Sequence, residues 1–317
     1  LIGGDFTTYN NIPVNRIARL LPNGNLDPTF NVGAGANNWV RFVFPEENGD
    51  VLVGGDFTSF KNTPLSHLVK LDSLGSVVSS FSNNVSGING RVMRIVKDTS
   101  NRYLVMGDFT RVSNSTNSSK ISRLNLDGSV DQTFNIGSGP SHEIRGGIVQ
   151  NTGKIVIAGY AIGFQGFGAN RILRLQSNGA YDPNFFVSNQ SIGPLYDIKQ
   201  QQNSKFLICG AFLTYNNLPF PYLVRLNADG FVDEDFTVGA GPNAGVEFIK
   251  IANDGSVFIC GNFTTYNGFT VGRIAKLHGD TVVGLSNTLK IRDISLSVFP
   301  NPAKESITVK KNQKTAV

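Results

Sequence analysis

Few residues in this chain have the types and spacing that chemistry requires. The three histidines are His67, His142 and His278, and only His142 has a carboxylate beside it, in the pair His142-Glu143. Adjacent residues on an extended segment point to opposite sides, so that pair does not form a general acid and base facing one substrate. Glu46-Glu47 and Asp233-Glu234-Asp235 lie at turns or strand ends and form no recognisable acid–base pair. Asn125, Asp127 and Asp131, and again Asn227, Asp229 and Asp233, place oxygens in calcium-loop order, but no closing bidentate glutamate follows, and an Asp-Gly turn accounts for the spacing. Phosphate loops, HExxH helices and nucleophile elbows are absent from the sequence. Cys209 and Cys260 occupy equivalent places just before a recurring glycine, as small buried strand residues would, rather than as a disulfide or metal pair. The expectation is a non-enzymatic protein with no catalytic residue, no cofactor and no metal.

Composition narrows the class further. Of 317 residues, 35 are Gly, 40% are hydrophobic and 16% are charged, which excludes a disordered chain. No apolar run reaches the roughly 18–20 residues of a membrane-spanning helix, so no membrane span is expected. The formal charge of +5 is scattered rather than gathered into a basic face, and nucleic acid is not an expected partner.

Whatever positions these residues repeats six times. Gly4-Asp5-Phe6, Gly55-Asp56-Phe57, Gly107-Asp108-Phe109, Gly159, Gly210-Ala211-Phe212 and Gly261-Asn262-Phe263 recur every 51 or 52 residues. A second column follows in register, from Arg16-Ile17-Ala18-Arg19-Leu20 to Arg273-Ile274-Ala275-Lys276-Leu277, and a third places Phe30, Phe81, Phe134, Phe185 and Phe236 before Gly-rich linkers. Each unit reads as four short strands separated by turns such as Asp127-Gly128. Four strands in about 50 residues is the pattern of a propeller blade. The expected fold is all-β, a β-propeller of about six four-stranded blades over residues 1–283, the first blade entered at its second strand.

A cation recurs at Arg19, Lys70, Arg123, Arg174, Arg225 and Lys276, and buried it needs a carboxylate. The candidates are Asp5, Asp56 and Asp108 on the second strand, and Asp27, Asp131, Asp182 and Asp233 on the fourth, as ion pairs that stitch a blade or its neighbour. Binding is expected on the face where fourth-to-first linkers and second-to-third loops emerge. The linkers offer Asn38, Trp39, His142, Tyr196 and Asn243; the loops repeat an aromatic beside an asparagine at Tyr9, Phe60, Tyr215 and Tyr266. Either these rings stack on a glycan or protein ligand, or they clamp their own loop while asparagine makes the turn.

The runs Gly-Gly-Asp-Phe-Thr at residues 3–7, Arg-Ile-Ala-Arg-Leu at 16–20 and Asn-Leu-Asp-Gly-Ser-Val-Asp-Gln-Thr-Phe-Asn at 125–135 resemble the delta-60 repeat family of bacterial β-propellers, over roughly residues 1–278. That family is a domain of unknown function, so the resemblance implies the fold and leaves activity open; Gly159-Tyr160-Ala161 and Gly210-Ala211-Phe212 depart from its motif. After a linker at 284–292, residues 293–317 are similar to the start of the C-terminal sorting domain of type IX secretion cargo, with Phe299, Pro300, Asn301 and Pro302 before an alternating strand at Ser306–Val309. The resemblance implies the type IX secretion machinery as a partner, an extracellular or outer-membrane-surface location, and a sorting domain truncated at Val317. The functional expectation is a binding or adhesion module, with a polysaccharide-active enzyme in the channel, or a rigid spacer, as alternatives.

Overall fold

A computed structural model describes residues 1–277, apart from 114, 116–117, 165–166 and 186–192, and the backbone of residues 306–307. The expected linker at 284–292 and the motif Phe299-Pro300-Asn301-Pro302 lie outside the described residues. The fold is a β-propeller. Five successive blades each carry three antiparallel strands: Val40–Pro45, Val51–Gly55 and Leu68–Leu71; Val92–Lys97, Tyr103–Gly107 and Ile121–Leu124; Ile144–Val149, Ile155–Phe164 and Phe167–Leu175; Leu195–Gln200, Phe206–Gly210 and Leu223–Leu226; Val246–Ile251, Val257–Gly261 and Ile274–Leu277. These are blades 2 to 6. Blade 1 contributes Ile2–Gly3 paired with Ile17–Ala18. The short pair Ser306–Ile307 runs parallel to Thr8–Tyr9.

The fourth strand is where the structure differs from the sequence expectation. It shrinks to single bridges, Leu20 with Leu26, Leu71 with Val77, Leu124 with Val130, Leu175 with Tyr181 and Leu226 with Val232. The cause is the aspartate that follows: Asp131 accepts from the Thr133 backbone at 2.9 Å and Asp27 from that of Thr29 at 2.9 Å, so the chain turns instead of extending. Blade 2 has Val78 there and continues into a short helix, Ser79–Asn84.

The recurring residues have distinct mechanical reasons. A Cβ at Gly55, Gly107, Gly159, Gly210 or Gly261 would overlap the carbonyl oxygen of the residue leading into the inner strand, so only glycine lets the two strands meet. The phenylalanine after it, Phe6, Phe57, Phe109, Phe212 or Phe263, is fully buried. Opposite, Arg16, His67, Lys120, Tyr222 and Arg273 all sit near φ +65°, in the left-handed region, with carbonyls that accept from the motif glycine. His67 is therefore fixed by a backbone kink rather than by chemistry.

The cation column joins blade to blade. The Nε of Arg19, Arg123, Arg174 and Arg225 lies 2.5–2.8 Å from Asp27, Asp131, Asp182 and Asp233. The same guanidinium stands 4.8 Å above Phe30, Phe134, Phe185 and Phe236 respectively. In three cases it also donates to a carbonyl of the next blade, at Ser73, Ser177 or Ala228. Blade 2 reverses the charges. Asp131, Asp182 and Asp233 each hold a second cation from the residue just before the second strand, Arg102, Lys154 or Lys205. At the corresponding position blade 2 has Asp50, which pairs with Lys70 at 3.2 Å where Val78 has replaced the usual aspartate. Lys276 pairs with exposed Asp254 at 3.6 Å. The second-strand aspartates serve other partners: Asp5 takes Arg16, Asp56 takes Arg41 and Asp108 takes Arg91.

Candidate functional site at the channel mouth

The five inner strands share one irregularity. In each, the ladder skips the second residue, so that Arg41, Met93, Arg145, Tyr196 and Glu247 form a column of β-bulges. A bulge re-aims its side chain, and here it does so at the same level of blades 2 to 6. One step further along the strands, Arg94 of blade 3 pairs with Asp197 of blade 5, whose backbone lies 3.1 Å from where a Cβ on Gly146 of blade 4 would stand. Phe42 and Phe248 stand 4.8 and 5.6 Å from the Arg94 guanidinium carbon. Asp197 is wholly buried and also accepts from Lys199 at 2.7 and 2.8 Å and from the Ile249 backbone at 3.1 Å. The inner strands of blades 2 to 6 thus meet in a filled throat. Burial, then the neighbouring Arg94, hold the Lys199 ammonium below its ordinary pKa.

Above the throat the bulge residues and their neighbours form a polar, aromatic mouth. Arg41 stacks 4.0 Å above Trp39 and grips Asp56 with bonds of 2.9 and 2.6 Å. Arg91 binds Asp108 at 2.7 Å and reaches Glu143 at 3.3 Å. Glu143 lies 2.9 Å from the Nε of Arg145, at an angle that makes an ion pair rather than a hydrogen bond. The Arg145 guanidinium carbon is 4.5 Å from the centre of the Tyr196 ring and 5.6 Å from that of Tyr160. Glu247 accepts from Asn262 at 3.2 Å and has no cation within salt-bridge distance among the described residues. Burial pushes its carboxyl above the usual range, against the fields of Arg145 and Arg41. Burial, with Glu247 and Tyr160 nearby, pushes Tyr196 up to about 12.

The residues expected from sequence separate into three groups. Trp39 and Tyr196 stand at the mouth. Asn38 and His142 are exposed beside it, with Asn38 bonded to its own following backbone and His142 to Ser141 at 2.9 Å. Asn243 is instead a clasp, accepting from the Thr264 and Thr265 backbones at 2.8 and 3.0 Å, as Asn37 and Asn89 do in their blades. The loop rings are corrected outright: Tyr9, Phe60, Tyr215 and Tyr266 are at most 1% exposed, inside the core, and offer no ligand a face. The positive φ angles of Asn10-Asn11, Lys61-Asn62, Asn216-Asn217 and Asn267-Gly268 make tight two-residue hairpins that tuck each ring inward. The oxygens arranged as if for calcium are engaged elsewhere, Asp127 with Ser129 and Asp131 with Arg123 and Arg102. No metal-binding cluster occurs among the described residues. Cys209 and Cys260 are free thiols; burial drives Cys209 well up, and Cys260 to about 11.

Sequence reasoning missed Arg41, Arg91, Arg145, Tyr160 and Glu247. For Arg41, Arg145 and Glu247 the signal is a charged residue after the first apolar residue of the inner strand, as in Val40-Arg41, Ile144-Arg145 and Val246-Glu247; Arg91, just before its inner strand, and Tyr160, on a second strand, fall outside it.

The profile of the family described as "Domain of unknown function (DUF5122) beta-propeller" matches residues 1–30, 100–134, 150–185, 201–236 and 252–280, more than half of the chain. The chain belongs to the DUF5122 β-propeller family. Curated proteins include no match to it. Among solved structures, this DUF5122 propeller is similar to the WD40 propeller domain of Doa1, with 15% identity, a TM-score of 0.49, and coverage of 76% of this chain and 64% of that one. It is similar to virginiamycin B lyase from Staphylococcus aureus, with 13% identity, a TM-score of 0.46, and coverage of 75% and 67%. It is also similar to the extracellular domain of the hybrid two-component system BT3049 from B. thetaiotaomicron, with 15% identity, a TM-score of 0.45, and coverage of 82% and 28%. The chain thus spans less than two thirds of the first and last of these proteins. No helix among the described residues is long and apolar enough to cross a membrane.

Proposed function

We propose that this DUF5122 propeller is a non-catalytic binding module that takes a glycan or protein ligand at the channel mouth, outside the cell. The observation that carries the proposal is the Arg145 guanidinium beside the Tyr160 and Tyr196 rings, over a filled throat. Rings offer an apolar face, guanidinium groups donate, and a closed floor lets a ligand rest without passing through. The outside location rests on the resemblance of the Phe299-Pro300-Asn301-Pro302 region to type IX sorting domains, which would also make that secretion machinery a partner.

The test is a binding screen over glycans, polysaccharides and peptides, with Tyr196→Ala and Trp39→Ala as variants. Binding that both variants lose supports the module; binding that neither changes places the site elsewhere and overturns the proposal. A second reading, a polysaccharide-active enzyme, has one observation behind it: Glu247, whose carboxyl burial pushes up against the fields of Arg145 and Arg41, accepts from Asn262 and has no salt-bridge partner among the described residues. Turnover of a bound polysaccharide, abolished in Glu247→Gln, would favour it.

A further inference from the structure

Building on the binding reading, we infer that the mouth receives a neutral sugar at the end of a glycan chain, entering end-on and stopping at the throat. The first ground is uncommitted hydrogen-bonding capacity. Arg19, Arg123 and Arg174 in the blade ring each use Nε, Nη1 and Nη2 on protein oxygens, and Arg225, which uses Nε alone, is only 4% exposed and so closed to solvent. At the mouth, Arg41 and Arg91 use Nε and Nη2 alone, and Arg145 uses only Nε, in its ion pair. Their side chains remain 18%, 40% and 20% exposed. Donors held in place by carboxylates behind them, with nitrogens left over, are suited to a partner from solution.

Charge decides what kind of partner. The three guanidinium groups are matched by Asp56, Asp108 and Glu143, and Glu247 adds a fourth carboxylate. No surplus positive charge is left to attract a polyanion. Uncommitted donors beside an acceptor, without net positive charge, fit vicinal hydroxyls, each of which donates and accepts. Trp39, Tyr160 and Tyr196 supply rings for the apolar face of a pyranose. The end-on geometry follows from Arg94, Asp197, Phe42 and Phe248, which fill the throat and leave a chain no exit.

Trp39 is the chain's single tryptophan and lies at the mouth, so its emission reports occupancy directly. The full chain is titrated with methyl glycosides of glucose, galactose and mannose, with their uronic-acid counterparts, with oligosaccharides of each neutral sugar, free or blocked at the non-reducing end, and with short peptides. The expected result is a shift with a neutral glycoside, an affinity unchanged by salt, and loss of binding when the chain end is blocked. Arg145→Met and Glu247→Gln should each weaken it by about tenfold, the scale of one hydrogen bond to a charged group; Arg91→Gln, more exposed, serves if Arg145→Met lowers the melting temperature. A uronate that binds more tightly and weakens with salt overturns the neutral-sugar inference, and undiminished binding of blocked chains overturns the end-on geometry. Peptides alone shifting Trp39 overturns the sugar and leaves the binding reading standing, whereas no shift with any probe overturns both.

Discussion

Two sets of arginines in this protein sit on the same fold and do opposite things. In the blade ring, Arg123 is 5% exposed by side chain, stacks on Phe134, and has every nitrogen engaged by Asp131, Thr133 and the Ser177 carbonyl of the next blade. At the mouth, Arg145 is also beside aromatic rings and also has a carboxylate, but two of its nitrogens have no hydrogen-bond partner among the described residues. The difference lies in the strand position. The ring arginines occupy regular third-strand positions, where a neighbouring blade packs over them; the mouth arginines Arg41 and Arg145 occupy bulges, where the ladder breaks and the side chain turns toward the channel. Similar side chains become architecture or candidate recognition groups according to what covers them.

The strongest way to test that contrast is to remove a ring carboxylate. Asp182 is fully buried between Arg174 and Lys154, and Asp182→Ala leaves both cations facing a void; the expected loss is about 3–5 kcal/mol, read by denaturant unfolding. A loss below about 1 kcal/mol would remove the ring from the architecture. A smaller effect sharpens the comparison inside the ring. Asp50→Lys in blade 2 sets two lysines against each other and should cost about 1–2 kcal/mol, and adding Val78→Asp, which restores the charge order of the other blades, should recover most of it. Failure of the second change to rescue the first would show that the reversed pair is not a compensation.

The smallest effect concerns the sign of titration. Burial works to raise Asp131, Asp182 and Asp233, but hydrogen bonds from Thr133, Lys154 and Lys205, with the ring arginines, hold all three below the ordinary value. Their contribution is complete above the unfolded value of about 3.9 and is lost as pH falls through the lowered folded values. Glu247 is shifted the other way, so its ionised form subtracts from stability at neutral pH and subtracts nothing once pH falls below its unfolded value of about 4.3. Glu247→Gln should therefore raise the melting temperature slightly at neutral pH, with the gain gone at acid pH; a lower melting temperature at neutral pH would mean that the carboxylate is stabilising after all.

The propeller was legible because its repeats state it many times over: a glycine that only a close strand approach explains, a buried Phe after it, and an arginine eight residues before its aspartate. The mouth was legible only in part. Trp39 and Tyr196 are visible as unusual residues in the linkers, but a one-residue bulge reverses which neighbour faces the channel, and Val40-Arg41-Phe42 taken singly reads as ordinary alternation; only its recurrence in Ile144-Arg145 and Val246-Glu247 marks the position. The aromatic loops misled for a related reason. An Asn-Asn turn tightens the hairpin enough to bring Tyr9 or Tyr215 under its own backbone, and a ring beside amides in a loop looks the same in sequence whether it points out or in. Likewise the fourth strand failed where Asp131 captures the backbone of Thr133, a local bond that outcompetes extension.

The most direct measurement is a pair of denaturant unfolding curves, for Arg225→Met and Arg145→Met. Arg225 is 4% exposed and its loss uncovers Asp233 and Phe236, so a fall of about 3 kcal/mol is expected, whereas Arg145→Met should stay within about 0.5 kcal/mol of the parent. Equal losses would contradict the division, because they would make the mouth arginine as much a part of the framework as the ring.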